Sequence, residues 1–271
     1  MTTPGRFAGR TVLVTGSTGM AASAAVAIAA EGGSVFAVSR DVEHLRALAA
    51  SLGVAGGASA WHVADLRVEA EVDAAFDACA ARFGRLDAVY GVAGISGRRF
   101  GDGPLAIVTL EGWETVVGTN ATSQFLVARA AVRRMLAQDR DRAWGRGTIL
   151  LMSTQLASHP AAQHFATHAY AASKGAIDAL VRASAATYAP EGIRINAIAP
   201  SLVATPMSRR AQSDEAVLRY LTAKQPLAGG PIDADDVTSV ALHLLSPESR
   251  MVTGQVIAVD GGWSVSEPRA D

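Results

Sequence analysis

The amino-acid sequence predicts an α/β fold, a doubly wound parallel sheet of about seven strands with helices on both faces. Short apolar runs alternate with longer helical segments along the whole 271-residue chain. Strands that alternate with helices in this way pair in parallel and are covered on both faces. With 49% hydrophobic residues, the chain can bury a large core without disulfides or metal. No internal repeat or linker divides it, so residues 1–271 are interpreted as one domain with a core from about residue 9 to 263.

The individual elements follow from local patterns. Short β-branched or apolar runs that end at turn residues predict the strands Thr11–Thr15, Val35–Ser39, Ala60–Val63, Asp87–Val92, Thr148–Ser153, Ile193–Ala199 and Gln255–Val259. Longer segments without breakers predict the helices Met20–Glu31, Glu69–Phe83, Glu111–Ala137, Ala169–Ala189 and Asp233–Leu245. The polar, proline-bearing segment Pro200–Gln212 is too short to be a linker, and we interpret it as a mobile active-site loop.

Charge and cysteine content exclude several classes of function. The formal net charge is -1, so there is no electrostatic basis for binding nucleic acid or an anionic membrane surface. Cys79 is the single cysteine, and its alanine-flanked position in a helix predicts an inert, packed thiol in a reducing compartment. The uncharged stretch from Thr11 to Ala30 resembles a signal peptide, but the glycine turn at its centre would break a membrane helix. We therefore expect a cytoplasmic protein without a membrane span.

A run of small residues joins the first strand to the first helix as Thr15-Gly16-Ser17-Thr18-Gly19-Met20-Ala21. Such a turn lets backbone N–H groups approach a pyrophosphate, and the helix dipole favours the negative charge. A plain structural turn is the alternative. The candidate dinucleotide contacts in this turn are Gly16, Ser17, Thr18, Gly19 and Met20.

The end of the second strand bears on the choice of dinucleotide. A carboxylate at this point would accept the ribose hydroxyls of NAD and repel a 2′-phosphate. The chain has Ser39 there, followed by Arg40, whose guanidinium can bind phosphate through two hydrogen bonds. A solvated surface arginine is the alternative. The missing acid and the adjacent base together favour NADP(H) over NAD(H).

A phenol and an ammonium lie four residues apart in Tyr170-Ala171-Ala172-Ser173-Lys174, on one face of a predicted helix. A phenol with an ordinary pKa of about 10 is a poor acid–base catalyst at neutral pH. We expect the Lys174 ammonium to lower the pKa of Tyr170 toward the working range. A solvated helical pair is the alternative, but the position after the fifth strand favours a catalytic role.

In their order, these segments resemble the short-chain dehydrogenase/reductase family, from about Gly9 to Trp263. The resemblance implies a Rossmann-like fold and hydride transfer between NADP(H) and a carbonyl or secondary-alcohol substrate. Tyr170 would be the general acid–base, and Lys174 would tune it and hold the ribose. The chain departs from the family pattern T-G-x-x-x-G-x-G, because its turn is one residue shorter and ends in Ala21.

The resemblance implies further site residues. By register, the hydroxyl that orients the substrate falls on Thr154, with Ser153 a close second, and Asn120 would hold a water of a proton relay. The remaining implied cofactor contacts are Asp65, Leu66, Ala93, Gly94, Pro200, Val203 and Thr205. In this family the helices after the fourth and fifth strands pair across twofold axes, which predicts a homotetramer or at least a dimer.

Two other functions compete with this interpretation. One is a catalytically weak or inactive dinucleotide-binding protein with a sensor or assembly role. The shortened turn favours it, as does Gly91-Val92-Ala93-Gly94, which lacks the two asparagines of the family motif. The other is a sugar-nucleotide epimerase or dehydratase, but such proteins have an additional C-terminal substrate domain.

The segments that would surround the substrate carry basic and imidazole side chains. His159, His164 and His168 precede Tyr170, but no carboxylate or cysteine joins them, so we expect them to line the substrate mouth and predict no metal. Arg98 and Arg99 are candidates for contact with an acidic substrate, with surface exposure as the alternative. The sequence does not name the substrate.

Overall fold

The structure is a computed structural model that describes residues 5–267. Its centre is a seven-stranded sheet in the order β3-β2-β1-β4-β5-β6-β7. Each neighbouring pair of strands is parallel. The strands are β1 (Thr11–Thr15), β2 (Ser34–Ser39), β3 (Ser59–Val63), β4 (Ala88–Gly91), β5 (Gly147–Met152), β6 (Ile193–Pro200) and β7 (Val256–Val259). The predicted doubly wound parallel sheet is thus confirmed.

The helices connect these strands and cover the sheet. They are α1 (Met20–Ala30), α2 (Val42–Ala55), α3 (Glu69–Phe83), α4 (Leu110–Val117), α5 (Ser123–Leu136), α6 (Ala162–Phe165), α7 (His168–Tyr188), α8 (Arg209–Gln212), α9 (Glu215–Lys224) and α10 (Ala234–Leu245). The chain builds one half of the sheet outward from β1 and the other outward from β4. The direction therefore reverses between β1 and β4, and their carboxyl ends form the crevice where open α/β sheets bind ligands.

Alternate strand residues supply two cores, one on each face of the sheet. Val12 and Val14 of β1 pack with α1, α2 and α10, whereas Leu13 packs with α3, α5 and α7. Successive side chains of a strand point to opposite faces, so a strand buried on both faces is apolar throughout. A third, smaller cluster lies apart from these two cores and contains Leu221 of α9 and Trp263.

Two predicted elements differ from the structure. The helix expected over Glu111–Ala137 is interrupted by a π-helical turn at Gly118–Thr122, which separates α4 from α5. The segment Pro200–Gln212 is not simply a loop, because Pro200 ends β6 and α8 begins at Arg209. The prediction also omitted α2 and α9, although each has a capping aspartate, Asp41 and Asp214 respectively.

The side chain of Cys79 is buried in α3, and burial raises the pKa of its thiol to about 12. This agrees with the predicted inert thiol. Within residues 5–267, none of the helices has both the length and the apolar character required to span a membrane.

Candidate active site

Tyr170 and Lys174 lie on one face of α7, beside the carboxyl end of β5. The Lys174 ammonium is buried and donates a 2.6 Å hydrogen bond to the carbonyl oxygen of Met152, the last residue of β5. Its nitrogen is 5.8 Å from the centre of the half-buried Tyr170 ring. The i, i+4 spacing on a helix and the end of the strand together hold the cation beside the phenol.

Burial dominates the electrostatics of this pair. It lowers the pKa of Lys174 to about 8, and the nearby Asp178 carboxylate opposes that change. It also raises the pKa of the Tyr170 phenol above its usual value, an effect that the neighbouring Thr154 side chain opposes. The net pKa of the phenol is therefore raised, and not lowered toward neutrality as we expected. The ammonium bonds to Met152 rather than to the phenolate oxygen, so removing the phenol from water has the larger effect.

The two hydroxyls after β5 point to different partners. The Thr154 side chain lies beside the Tyr170 phenol and lowers the pKa of that phenol, while its hydroxyl donates to the carbonyl oxygen of Pro200 at 3.3 Å. The buried Ser153 hydroxyl has no hydrogen-bond partner among the described residues; it lies near Asp178 of α7, whose pKa is raised by burial, an effect that Ser153 opposes. Adjacent residues in extended backbone point in opposite directions. The geometry therefore brings Thr154, and not Ser153, to the phenol.

Asn120 lies fully buried in the π-helical turn and joins three segments around Lys174. Its amide nitrogen donates to the Ile95 carbonyl and to the Ser173 hydroxyl, both at 3.1 Å, and its oxygen accepts from the Ile95 N–H at 2.8 Å. A Cβ on Gly94 would be 2.9 Å from that oxygen. Both amide hydrogens are therefore used by the protein, so a relay water would have to bond to the main chain or to the remaining lone pair of the amide oxygen.

The glycine turn follows β1 at the crevice. Gly16 and Gly19 have φ values of 97° and 56°, which L side chains rarely adopt. A Cβ on Gly16 would be 3.2 Å from Cβ of Ala21, so the shortened turn packs directly against the start of α1. Among the described residues, no side chain caps α1 at Gly19, and its first turn has no acidic residue. Its N–H groups and dipole are thus available to an anion.

The other candidate cofactor contacts lie in the turn itself or directly after it. Ser17 is buried, Thr18 is exposed and Met20 begins α1. The Thr15 hydroxyl accepts hydrogen bonds from the N–H groups of Val92 and Ala93, at 3.0 and 3.2 Å, which joins β1 to the segment after β4.

The loop after β6 meets the same turn from the other side. Val203 is buried and pairs with Ile232 in an isolated bridge. A Cβ on Gly19 would be 3.0 Å from Cγ2 of Thr205, so the two loops touch.

Ser39 and Arg40 lie at the end of β2 as expected, but Arg40 has a carboxylate neighbour. The Ser39 hydroxyl is 3.1 Å from that of Ser17, and the Arg40 guanidinium is 3.7 Å from the Asp65 carboxylate. Arg67 donates several hydrogen bonds to Asp65 and is the main reason that the pKa of this carboxyl falls to about 2. If Asp65 contacts the adenine, its carboxylate must bind the adenine and Arg67 at the same time. Leu66, the next residue, is buried.

Sequence reasoning missed Gln124 of α5. Its amide nitrogen donates to the carbonyl oxygens of Gly91 and Ala93 at 2.9 and 3.1 Å, which fastens the segment that lacks the family's two asparagines. The side chain is buried, and a Cβ on Gly91 would be 2.4 Å from its oxygen. A buried glutamine 33 residues after a glycine leaves no local pattern, so only the fold reveals this pair.

The histidines and arginines of the mouth have separate partners. His159 contacts Ser158, His164 packs against the Tyr220 ring, and His168 bonds to the Gly103 carbonyl. Arg98 donates to the His164 carbonyl at 2.5 Å, and Arg99 lies over the Phe100 ring. Within residues 5–267, no group of three or more His, Cys, Asp and Glu side chains is arranged to hold a metal ion.

Known proteins are similar to this chain over almost its whole length. A match to the family described as Enoyl-(Acyl carrier protein) reductase covers residues 14–264. D-threitol dehydrogenase from Mycolicibacterium smegmatis is 32% identical over 262 residues, which are 96% of this chain and 95% of that protein. 3beta-hydroxysteroid dehydrogenase 1 from Eggerthella lenta is 35% identical over 263 residues, 95% of this chain and 94% of its own length. This chain belongs to the short-chain dehydrogenase/reductase family.

A solved structure confirms the family at the level of the fold. A short-chain type dehydrogenase/reductase from Mycobacterium ulcerans superposes with a TM-score of 0.85 at 32% identity, covering 96% of this chain and 92% of the other. The short-chain dehydrogenase/reductase described here is accordingly an oxidoreductase, and its family uses the nicotinamide cofactors NAD(H) and NADP(H).

The residues present fit such a cofactor. The two glycines and the uncapped start of α1 suit a pyrophosphate, because they offer backbone N–H groups without a competing carboxylate. At the other end of the crevice, the buried Lys174 ammonium lies 3.6 Å from the position of a Cβ on Gly94. Because Gly94 has no side chain, the backbone after β4 can lie close to the Lys174 ammonium.

Proposed function

We propose that this chain is an NADP(H)-dependent oxidoreductase that interconverts a carbonyl compound and a secondary alcohol, with Tyr170 as the general acid–base. The observation that carries the proposal is the convergence of three groups beside the end of β5. The Thr154 side chain lies beside the Tyr170 phenol and lowers its pKa, and the Lys174 ammonium is 5.8 Å from the Tyr170 ring centre. A phenol between a hydroxyl and a cation suits proton transfer to or from an alcohol oxygen.

Each residue has a distinct task in this mechanism. The nicotinamide ring, when bound, supplies or accepts the hydride at the substrate carbon. Thr154 orients the substrate oxygen by a hydrogen bond, and Tyr170 gives that oxygen a proton in reduction or takes one in oxidation. Lys174, with a pKa of about 8, is mainly protonated at neutral pH and stabilises the phenolate that forms. Asn120 contributes by holding Ser173 and the segment after β4 in place, and any relay water bonds outside its two amide hydrogens.

Preference for NADP(H) is supported by the end of β2. Ser39 stands where a carboxylate would repel the 2′-phosphate, and the side chain of Arg40 is 57% exposed, so its guanidinium is free to turn toward that phosphate. Its 3.7 Å contact with Asp65 is long, and the same carboxylate is held by Arg67. If Arg40 leaves Asp65 to bind the phosphate, Asp65 therefore remains paired with Arg67.

The proposal is tested by a panel of ketones and secondary alcohols, followed by nicotinamide absorbance with NADP(H) and with NAD(H). Turnover of at least one substrate, with NADP(H) favoured, is the expected result. Binding of the dinucleotide without turnover of any member would instead support the inactive dinucleotide-binding protein. The shortened glycine turn is the observation that favours that second candidate.

We further propose that the protein is cytoplasmic and assembles as a homotetramer, or at least a dimer, through α5 and α7. The outer face of α7 supports this assembly because its exposed residues Ala172, Ala176, Ala179 and Ala183 allow close helix approach. Phe125 of α5 is 42% exposed, which adds an apolar side chain to the neighbouring surface. A monomeric mass by light scattering at micromolar concentration would contradict the assembly.

A further inference from the structure

The loop after β4 supplies the N-terminal cap of α7, the helix that carries Tyr170. The two carboxylate oxygens of Asp102 accept hydrogen bonds from the N–H groups of Ala169 and Tyr170, each at 2.9 Å. The N–H of His168 donates to the carbonyl oxygen of Gly103 at 3.3 Å. Thr167, directly before the helix, makes no side-chain capping bond. The first N–H groups of α7, which the helix itself leaves unsatisfied, are thus bonded by a distant segment.

The loop that presents Asp102 is itself tightly held. The N–H groups of Phe100 and Asp102 both donate to the Gly97 carbonyl, at 2.8 and 3.2 Å. A Cβ on Gly97 would be 2.5 Å from Cγ2 of Val116 in α4, so the loop lies directly on that helix. Asp102 is only 6% exposed. Its carboxylate is therefore a fixed anchor and not a mobile surface group.

Two further contacts connect this loop to the residues around the start of α7. The His168 ring nitrogen Nδ1 is 2.8 Å from the Gly103 carbonyl oxygen, and the Arg98 guanidinium donates to the His164 carbonyl at 2.5 Å. Asp102 is far from α7 in the sequence, since it precedes its partners Ala169 and Tyr170 by 67 and 68 residues. The position at which α7 begins therefore depends on the loop after β4.

We infer that Asp102 is a positioning residue, which sets the distance between the Tyr170 phenol and Thr154 by fixing the main-chain nitrogen of Tyr170. This inference rests on the proposed function of Tyr170. Thr154 belongs to the end of β5, whereas the phenol is carried by the first turn of α7, so a shift of that turn changes their separation. Both Asp102 oxygens are engaged in capping, so the carboxylate takes no part in proton transfer itself. A displacement of about 1 Å at a reacting group lowers rates by roughly 10²-fold.

The experiment compares Asp102→Ala and Asp102→Asn with the wild type, at a temperature where each is folded. We expect Asp102→Ala to lower kcat by roughly 10- to 100-fold, because the first turn of α7 loses two hydrogen bonds beside the reacting phenol. Asp102→Asn retains one oxygen acceptor, so its kcat should lie between the other two. The dissociation constant for NADP(H) should not change, since the glycine turn and Arg40 are untouched.

Asp141→Ala is the matched control. Asp141 also accepts two main-chain hydrogen bonds, from Ala143 and Trp144 at 2.7 and 2.9 Å, but in the turn before β5, at the amino ends of the strands, where it also pairs with Arg10 at 3.0 Å. It should lower Tm and leave kcat unchanged. If Asp102→Ala lowers Tm but keeps the wild-type kcat, as the control does, the inference is overturned. If Asp102→Ala does not fold, Asp102→Asn decides, and wild-type kcat in that variant has the same consequence.

The outcome for Tyr170→Phe separates this inference from the proposed function. Loss of turnover in Tyr170→Phe with full kcat in the Asp102 variants removes only the positioning role. Full turnover in Tyr170→Phe would exclude the acid–base role of Tyr170 and, because the inference depends on that role, the positioning role of Asp102 as well.

Discussion

The Lys174 ammonium donates a 2.6 Å hydrogen bond to the carbonyl oxygen of Met152. This bond joins α7 to the last residue of β5 and keeps a buried cation within 5.8 Å of the Tyr170 ring centre. One ammonium thus fixes α7 to the carboxyl end of β5 and also places a positive charge in the site.

The buried cation predicts a specific pH dependence of stability. Burial lowers the pKa of Lys174 from an ordinary value of 10.5 to about 8, so between these pH values the unfolded chain holds a proton that the folded chain has lost. Stability of the cofactor-free protein contributed by this group therefore rises with pH over that window, by up to about 1.4 kcal/mol per pH unit.

Lys174→Met removes the group and provides the comparison. Denaturant unfolding from pH 7 to 9.5 should show the wild type gaining stability relative to Lys174→Met as the pH passes 8. All other titrating groups are common to both proteins and cancel in the difference. A difference that stays constant over this range would mean that Lys174 titrates normally in the folded protein.

Tyr170→Phe should abolish most of the turnover and leave folding intact. The substitution keeps the ring and removes only the ionisable oxygen, and general acid–base groups contribute roughly 10² to 10⁴ in rate. Steady-state kinetics, with NADP(H) binding measured by calorimetry, should show lower kcat and unchanged affinity. Tyr188→Phe, at the far end of the same helix, is the control and should behave as the wild type. Wild-type turnover in Tyr170→Phe would exclude the proposed mechanism.

Thr154→Val and Ser153→Ala distinguish the two hydroxyls. Thr154 lies beside the phenol, so Thr154→Val should lower kcat, by roughly 10²-fold if its hydroxyl supplies a hydrogen bond to the reacting oxygen. Ser153 faces Asp178, and Ser153→Ala should leave kcat unchanged. Single-turnover rates with a reactive ketone would measure both variants. The reverse order of effects would assign the role to Ser153.

Arg40→Ala should reduce the preference for NADP(H). Loss of a charge-assisted bond to the 2′-phosphate weakens NADP(H) binding by on the order of 1–3 kcal/mol, while NAD(H) binding changes little. Calorimetric titration with both cofactors measures the difference, which should be larger at low salt. Arg46→Ala removes an equally exposed guanidinium that pairs with Glu43 in α2, and it should affect neither cofactor. If Arg40→Ala weakens the binding of NADP(H) and NAD(H) equally, Arg40 does not bind the 2′-phosphate.

Particular residues show how much of the site follows from local sequence. Tyr170 and Lys174 are four residues apart, and any helix over that segment places them on one face. The glycine turn is equally local, because Gly16 and Gly19 follow a recognisable strand and precede a recognisable helix. Asp102 and Gln124 are different, since their partners lie 67 and 33 residues away and carry no spacing that a linear pattern could show.

By itself, the sequence determined the order of the seven strands, the parallel sheet and the pair at the start of α7, because periodicity and end signals act over a few residues. Only the tertiary structure decided that Thr154 faces the phenol, that the helix after β4 contains a π-helical turn at Asn120, and that Asp102 caps α7. The physical reason is the same in each case. These outcomes depend on which buried polar groups satisfy one another, and those partners are brought together only when the sheet is assembled.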